Sequence, residues 1–135
     1  MQNGLYLPVV SGAPILVVED DALSLQVLSD VLGDEGYSVI ATADGAEAMR
    51  HLREDRPCLV LLDLRMPRMD GWEFARFKNL DPALARVPLV LLSGAHDLKK
   101  HAQELDAAAF LMKPFTPDQI LAVVRAVLAA SGTRG

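Results

Sequence analysis

The stretch Ile15-Leu16-Val17-Val18, followed at once by Glu19-Asp20-Asp21, decides how the chain folds. Consecutive aliphatic residues with no in-out alternation make a strand buried on both faces, which is the condition inside a parallel sheet covered by helices. Similar runs recur at Tyr37 to Ala41, Leu59 to Leu62, Leu89 to Leu92 and Ala108 to Met112. Stretches of helical period separate them. Leu25, Leu28, Val31 and Leu32 share one face, and Met49 pairs with Leu52, Phe74 with Phe77, and Leu98 with Ala102 and Leu105. Ile120, Val123, Val124, Val127 and Leu128 form the last such face. This βα alternation predicts an α/β fold, a doubly wound three-layer sandwich around a five-stranded parallel sheet. It has too few strands for a closed eight-stranded barrel. Right-handed crossovers leave the flavodoxin-like order 2-1-3-4-5 as the common arrangement at this length.

The chain has 135 residues, 51% hydrophobic and 23% charged, enough for one domain with a sizeable core. A single cysteine, Cys58, allows no internal disulfide and no Cys-rich zinc site, which suits a reducing cytoplasm. Its position just before a strand reads as an inert thiol. Lys and Arg number 13 against 18 Asp and Glu, and the net charge of -5 is the wrong sign for a domain that binds nucleic acid directly. No apolar run reaches the length of a membrane span, and the first residues lack a signal peptide's basic start, so membrane insertion is not expected. Gly4, Pro8, Ser11 and Gly12 mark residues 1–13 as a flexible leader. The domain is expected over residues 14–130, and residues 131–135 as a fraying tail with no output domain after it.

The polar residues gather where strands stop: Glu19-Asp20-Asp21 after the first run, Asp63 after the third, Ser93 after the fourth and Lys113 after the fifth. In a parallel sheet these ends share one edge, and the crevice beside the switch point between strands 1 and 3 is where such folds bind ligands. Two carboxylates about 5 Å apart repel by roughly 3 kcal/mol at an effective dielectric near 20, so the cluster calls for a cation. Hard oxygen ligands without Cys or a His cluster suit Mg²⁺, and Lys113 adds a fixed positive charge. A carboxylate nucleophile between a divalent cation and a lysine suits phosphoryl transfer, with the Ser93 hydroxyl able to bond the transferring group's oxygens.

Most of the domain, from about Pro14 to Leu128, resembles the receiver domain of two-component response regulators, most like the stand-alone chemotaxis type. The motifs that carry the resemblance are Ile15-Leu16-Val17-Val18-Glu19-Asp20-Asp21, Leu61-Leu62-Asp63-Leu64-Arg65-Met66-Pro67 leading to Met69-Asp70-Gly71, Leu91-Leu92-Ser93-Gly94, and Lys113-Pro114-Phe115. It implies that Asp63 accepts a phosphoryl group from a histidine kinase or a histidine phosphotransfer protein. Asp20, Asp63 and the backbone carbonyl of Arg65 would bind Mg²⁺ directly, and Glu19 through water. Ser93 and Lys113 would hold the phosphoryl group, and Phe110 would occupy the aromatic switch position. A cis Lys113-Pro114 bond is implied too, as is a downstream protein partner on the face of the fourth helix, fifth strand and fifth helix.

Structural readings stand beside these. Asp63 could cap a helix, but Pro67 blocks one from following directly. Asp21 serves equally as a helix cap or as part of the acidic site. Phe110, taken alone, is a core or edge aromatic, and lacking a hydroxyl it favours an inward placement. Asp70-Gly71 reads as the turn before the Trp72 helix, and His51, His96 and His101 as surface residues. Rival functions are an aspartyl phosphatase or phosphotransferase, for which Arg65 stands where a second Asp is usual, and a scaffold receiver that is never phosphorylated. A flavin binder conflicts with Glu19-Asp20-Asp21, which would repel a phosphate. The expectation is a signalling module whose only catalysis is its own phosphorylation and dephosphorylation.

Overall fold

The computed structural model describes residues 13–65, 71–94 and 97–131. The elements run β1 (Ile15–Val18), α1 (Ala22–Asp34), β2 (Val39–Thr42), α2 (Gly45–Glu54), β3 (Leu59–Asp63), α3 (Gly71–Leu80), α4 (Pro82–Ala85), β4 (Leu89–Ser93), α5 (Leu98–Glu104), β5 (Ala109–Met112) and α6 (Pro117–Ala130). The strands are all parallel, in the order β2-β1-β3-β4-β5, as the run pattern predicts. Val18 lies opposite Leu62, Asp63 opposite Leu92 and Ser93 opposite Met112, so the polar residues at the strand ends share one edge.

The central strands β1, β3 and β4 are buried on both faces. Leu16, Val18, Val60, Leu62, Leu89 and Leu91 pack against α2, α3 and α5, while Ile15, Val17, Leu59, Leu61, Val90 and Leu92 pack against α1 and α6. Full burial of each aliphatic side chain contributes about 1.5–3 kcal/mol, which fixes the register of the strands that carry the site. Side-chain caps set several helix starts. Asp21 begins α1, Asp44 begins α2, and Thr116 with Gln119 forms a reciprocal capping box at α6, where Pro117 takes the first turn.

The structure departs from the sequence expectations in three places. The edge strands β2 and β5 are only partly buried, because helices cover the sheet's middle more fully than its margins. The βα alternation is interrupted by α4, a single turn whose signal is Asp81-Pro82, an N-cap followed by proline in the first turn. Phe74 is buried but Phe77 is half exposed, so the two do not share the inward face. That face of α3 consists of Gly71, Phe74, Ala75 and Lys78, a helical stripe that ends on a lysine. The predicted leader before Ala13, the tail after Ser131, the Met66-to-Asp70 part of the second motif and His96 lie outside the described residues.

Candidate functional site

Glu19 leaves β1 with its backbone N–H bonded to the Thr42 carbonyl at 3.1 Å, and its side chain is wholly buried. Its Oε1 accepts a 2.6 Å hydrogen bond from Lys113 Nζ, and its Oε2 accepts the Asp21 backbone N–H at 3.2 Å. Asp63 ends β3, nearly buried, with Oδ1 accepting the Arg65 N–H at 3.2 Å and Oδ2 3.6 Å from Lys113 Nζ. Asp20 is exposed beside them, and one carboxylate oxygen each from Glu19, Asp20 and Asp63 lies within 4.8 Å of the others. Lys113 follows β5, where its own N–H bonds the Ser93 carbonyl at 3.0 Å, tying the ends of β4 and β5 together. The Lys113-Pro114 peptide is cis.

Burial pushes the Glu19 carboxyl upward, against the lowering effect of the bonds from Lys113 and the Asp21 N–H. Burial also pulls the Lys113 ammonium down, but the Glu19 hydrogen bond and the charges of Asp63 and Glu19 outweigh it and hold the ammonium above its ordinary value. Lys113 is therefore a firm positive charge at neutral pH, anchored by Glu19 and extended toward Asp63. Three carboxylates with hard oxygen donors around an open, partly solvated corner fit a hard divalent cation rather than a soft one.

Glu19, Asp20, Asp63 and Lys113 thus converge as the strand ends predict, and Ser93 is buried at the end of the neighbouring strand. The Arg65 side chain is exposed, so its backbone is the part that adjoins the site. Asp21 resolves as a helix cap. Its carboxylate accepts from Ser24 N at 2.9 Å and Ser24 Oγ at 2.8 Å, and these bonds hold it below the usual range. Phe110 stands outward on β5, 39% exposed, rather than inward. His51 and His101 are half-buried rather than surface residues. His51 pairs with Asp55 at 2.7 Å, and His101 packs edge-on against Trp72 with ring centroids 4.8 Å apart. Burial raises the Cys58 thiol, in keeping with an inert role.

One feature beside the site is absent from the expectations. Leu23 and Val27 on α1 are 72% and 48% exposed, and with Ser24, Pro114 and Phe115 they border a hollow of about 490 Å³ next to Lys113. Its sequence signal is the apolar pair Leu23 and Val27, four residues apart and off the face that packs on the sheet.

Residues 15–125 match the family model of the response regulator receiver domain. The chain belongs to that family. It is a phosphorylation-dependent signalling domain with the flavodoxin-like architecture. The receiver domain is similar to the DNA-binding response regulator MtrA of Mycobacterium tuberculosis, 40% identical over 116 residues that make up 84% of this chain and 50% of that protein. The chain spans about half the length of the curated relatives it matches. Among solved structures it resembles the chemotaxis protein CheY4 of Vibrio cholerae, with 30% identity and a TM-score of 0.81 over 87% of this chain and all of that one. It also resembles the receiver domain of the sensor histidine kinase PA1611 from Pseudomonas aeruginosa PAO1, with 27% identity, a TM-score of 0.78, and coverage of 91% of this chain and 100% of that one. That structure has a magnesium ion coordinated in its active-site cleft.

Proposed function

We propose that this receiver domain takes a phosphoryl group on Asp63 from a phosphohistidine of a histidine kinase or histidine phosphotransfer protein, and that the modified domain engages a protein partner. The observation that carries the reading is the position of Asp63. It sits nearly buried between the Lys113 ammonium, 3.6 Å from Oδ2, and the carboxylates of Glu19 and Asp20. An Asp63 oxygen attacks phosphorus as the P–N bond to the donor imidazole breaks, and the imidazole keeps the electron pair and is reprotonated. Lys113 stabilises the charge on the transferring oxygens, and the Ser93 hydroxyl is suited to bond one of them. Mg²⁺, held by Asp20, Asp63 and the Arg65 carbonyl with Glu19 acting through water, would supply further charge neutralisation to the same oxygens.

The exposed Leu23 and Val27, with the partly buried Phe115 beside Lys113, form an apolar rim that suits a donor protein that must bring its histidine to Asp63. The face of α5, β5 and α6, which presents Phe110 and Met112, suits the downstream partner. Nucleic acid is no part of this reading, since the net charge of -5 opposes it, and DNA binding is stated of MtrA, of which this chain spans half. The domain acts as a switch in the cytoplasm, and its catalysis is confined to gaining and losing its own phosphoryl group. The aspartyl phosphatase reading lacks an acid-base carboxylate two residues after Asp63, where the exposed Arg65 stands.

Acetyl phosphate with Mg²⁺ tests this directly. One phosphoryl group per chain is expected by intact mass, mapping to Asp63 and absent from Asp63→Asn. Label retained by Asp63→Asn would overturn the assignment.

A further inference from the structure

Gly71, the first residue of α3, is packed against the backbone of the phosphoacceptor segment. A Cβ built there would lie 2.5 Å from Leu64 Cα, 2.8 Å from the Asp63 carbonyl oxygen and 3.0 Å from the Leu64 carbonyl carbon. All three are main-chain atoms, so no side chain could rotate away to make room. The Gly71 N–H also donates to the Leu64 carbonyl at 2.9 Å, which holds the start of α3 onto the end of β3. The residues on either side of Leu64 carry the groups that matter next door: Asp63 its carboxylate, which accepts the Arg65 N–H, and Arg65 its carbonyl, one peptide further on.

We infer that Gly71 is a positioning residue for the phosphoryl site, setting the direction of the Asp63 carboxylate and the Arg65 carbonyl through direct backbone contact with Leu64. The inference rests on the reading of Asp63 as phosphoacceptor and goes beyond it. A methyl group at position 71 forces Leu64 and its flanking peptides to shift, and the cation and phosphoryl geometry shifts with them. Sequence alone suggests only a turn before the Trp72 helix. A turn needs a glycine for its backbone angles, whereas this glycine is needed for the space its missing side chain leaves.

Gly33 provides the matched control. It too is helical, in α1, but a Cβ there meets nothing within 4 Å. The experiment compares wild type, Gly71→Ala and Gly33→Ala as full isotope-labelled chains. Mg²⁺ affinity is read from amide shifts, and the rate of Asp63 labelling by acetyl phosphate is read at saturating Mg²⁺. Gly71→Ala is expected to weaken Mg²⁺ binding by roughly tenfold or more, the scale seen when groups that orient metal ligands are altered. Its labelling is expected to stay slow even when Mg²⁺ saturates. Gly33→Ala should match wild type in both and unfold slightly later, as Ala replaces Gly in a helix. A folded Gly71→Ala with wild-type Mg²⁺ affinity and labelling rate overturns the inference and leaves the phosphoacceptor assignment standing. A wild type that neither binds Mg²⁺ nor takes label overturns that assignment and this inference with it. If Gly71→Ala does not fold, the wild-type titration decides: the Leu64 and Gly71 amides should shift with the same midpoint as Asp63, and amides that stay still overturn the coupling.

Discussion

Lys113 and Lys78 are two lysines that the same fold treats in opposite ways. Lys113 finds Glu19 and Asp63, so its charge is kept and put to use. Replacing it with Ala removes a cation that competes with Mg²⁺ for the same carboxylates, so Lys113→Ala is expected to bind Mg²⁺ as well as or better than wild type. It should nevertheless lose the partner-binding response to phosphorylation. Calorimetric Mg²⁺ titration together with partner capture by the labelled variant checks this, and weaker Mg²⁺ binding would contradict it. Lys78 lies nearly buried on the inward stripe of α3, with its Nζ 3.4 Å from the Ala85 carbonyl, and burial drops it from 10.5 to about 8 against the opposing charge of Asp106. Its folded value lies below its unfolded one, so between about pH 8 and 10.5 the unfolded chain holds more protons and stability rises with pH. Lys78→Met is therefore expected to stabilise the protein at pH 7, by roughly 1–3 kcal/mol after allowance for the lost carbonyl bond. That advantage should shrink as pH climbs from 8 toward 10.5. Urea unfolding of both proteins across that range measures it, and an advantage independent of pH would refute the burial account.

At the level of elements, legibility followed burial. The central strands β1, β3 and β4 were plain in the sequence because both faces are covered and every position before the terminal Asp63 and Ser93 is aliphatic. The margins were harder. β5 alternates in exposure at the sheet edge, and the single turn of α4 is too short for any hydrophobic period, so that only its Asp81 cap and Pro82 announce it. The burial of Lys78 could not be read, because a lysine in a helix is ordinarily solvated and only packing shows which stripe it falls on. The site was legible as a set of strand ends. The Lys113 to Glu19 bond, spanning 94 positions, follows from topology rather than local pattern. α6 begins shortly after Lys113, and its capping box is the device that fixes that start. Thr116→Ala should cost about 1 kcal/mol with an unchanged denaturant slope. The cost is read from the urea midpoint, and no change there would mean that the cap contributes nothing.

For the whole molecule, the site and the proposed partner face are linked through the ends of β4 and β5, where Ser93 and Lys113 share a backbone hydrogen bond. A phosphoryl group on Asp63 adds strong acceptor oxygens within reach of Lys113 and toward Ser93. Drawing Ser93 toward that group would open space beside β5. Phe110, outward in this structure, is the side chain placed to turn into it, which would change the surface formed by α5, β5 and α6. The most direct measurement is the amide chemical-shift difference between the free protein and the protein with Mg²⁺ and beryllofluoride, in wild type and in Asp63→Asn. Wild type should show shifts in the Asp63 pocket and across residues 97–128, with Asp63→Asn silent in both. Shifts confined to the pocket, with residues 97–128 unmoved, or the same response in Asp63→Asn, would contradict a switch driven from Asp63.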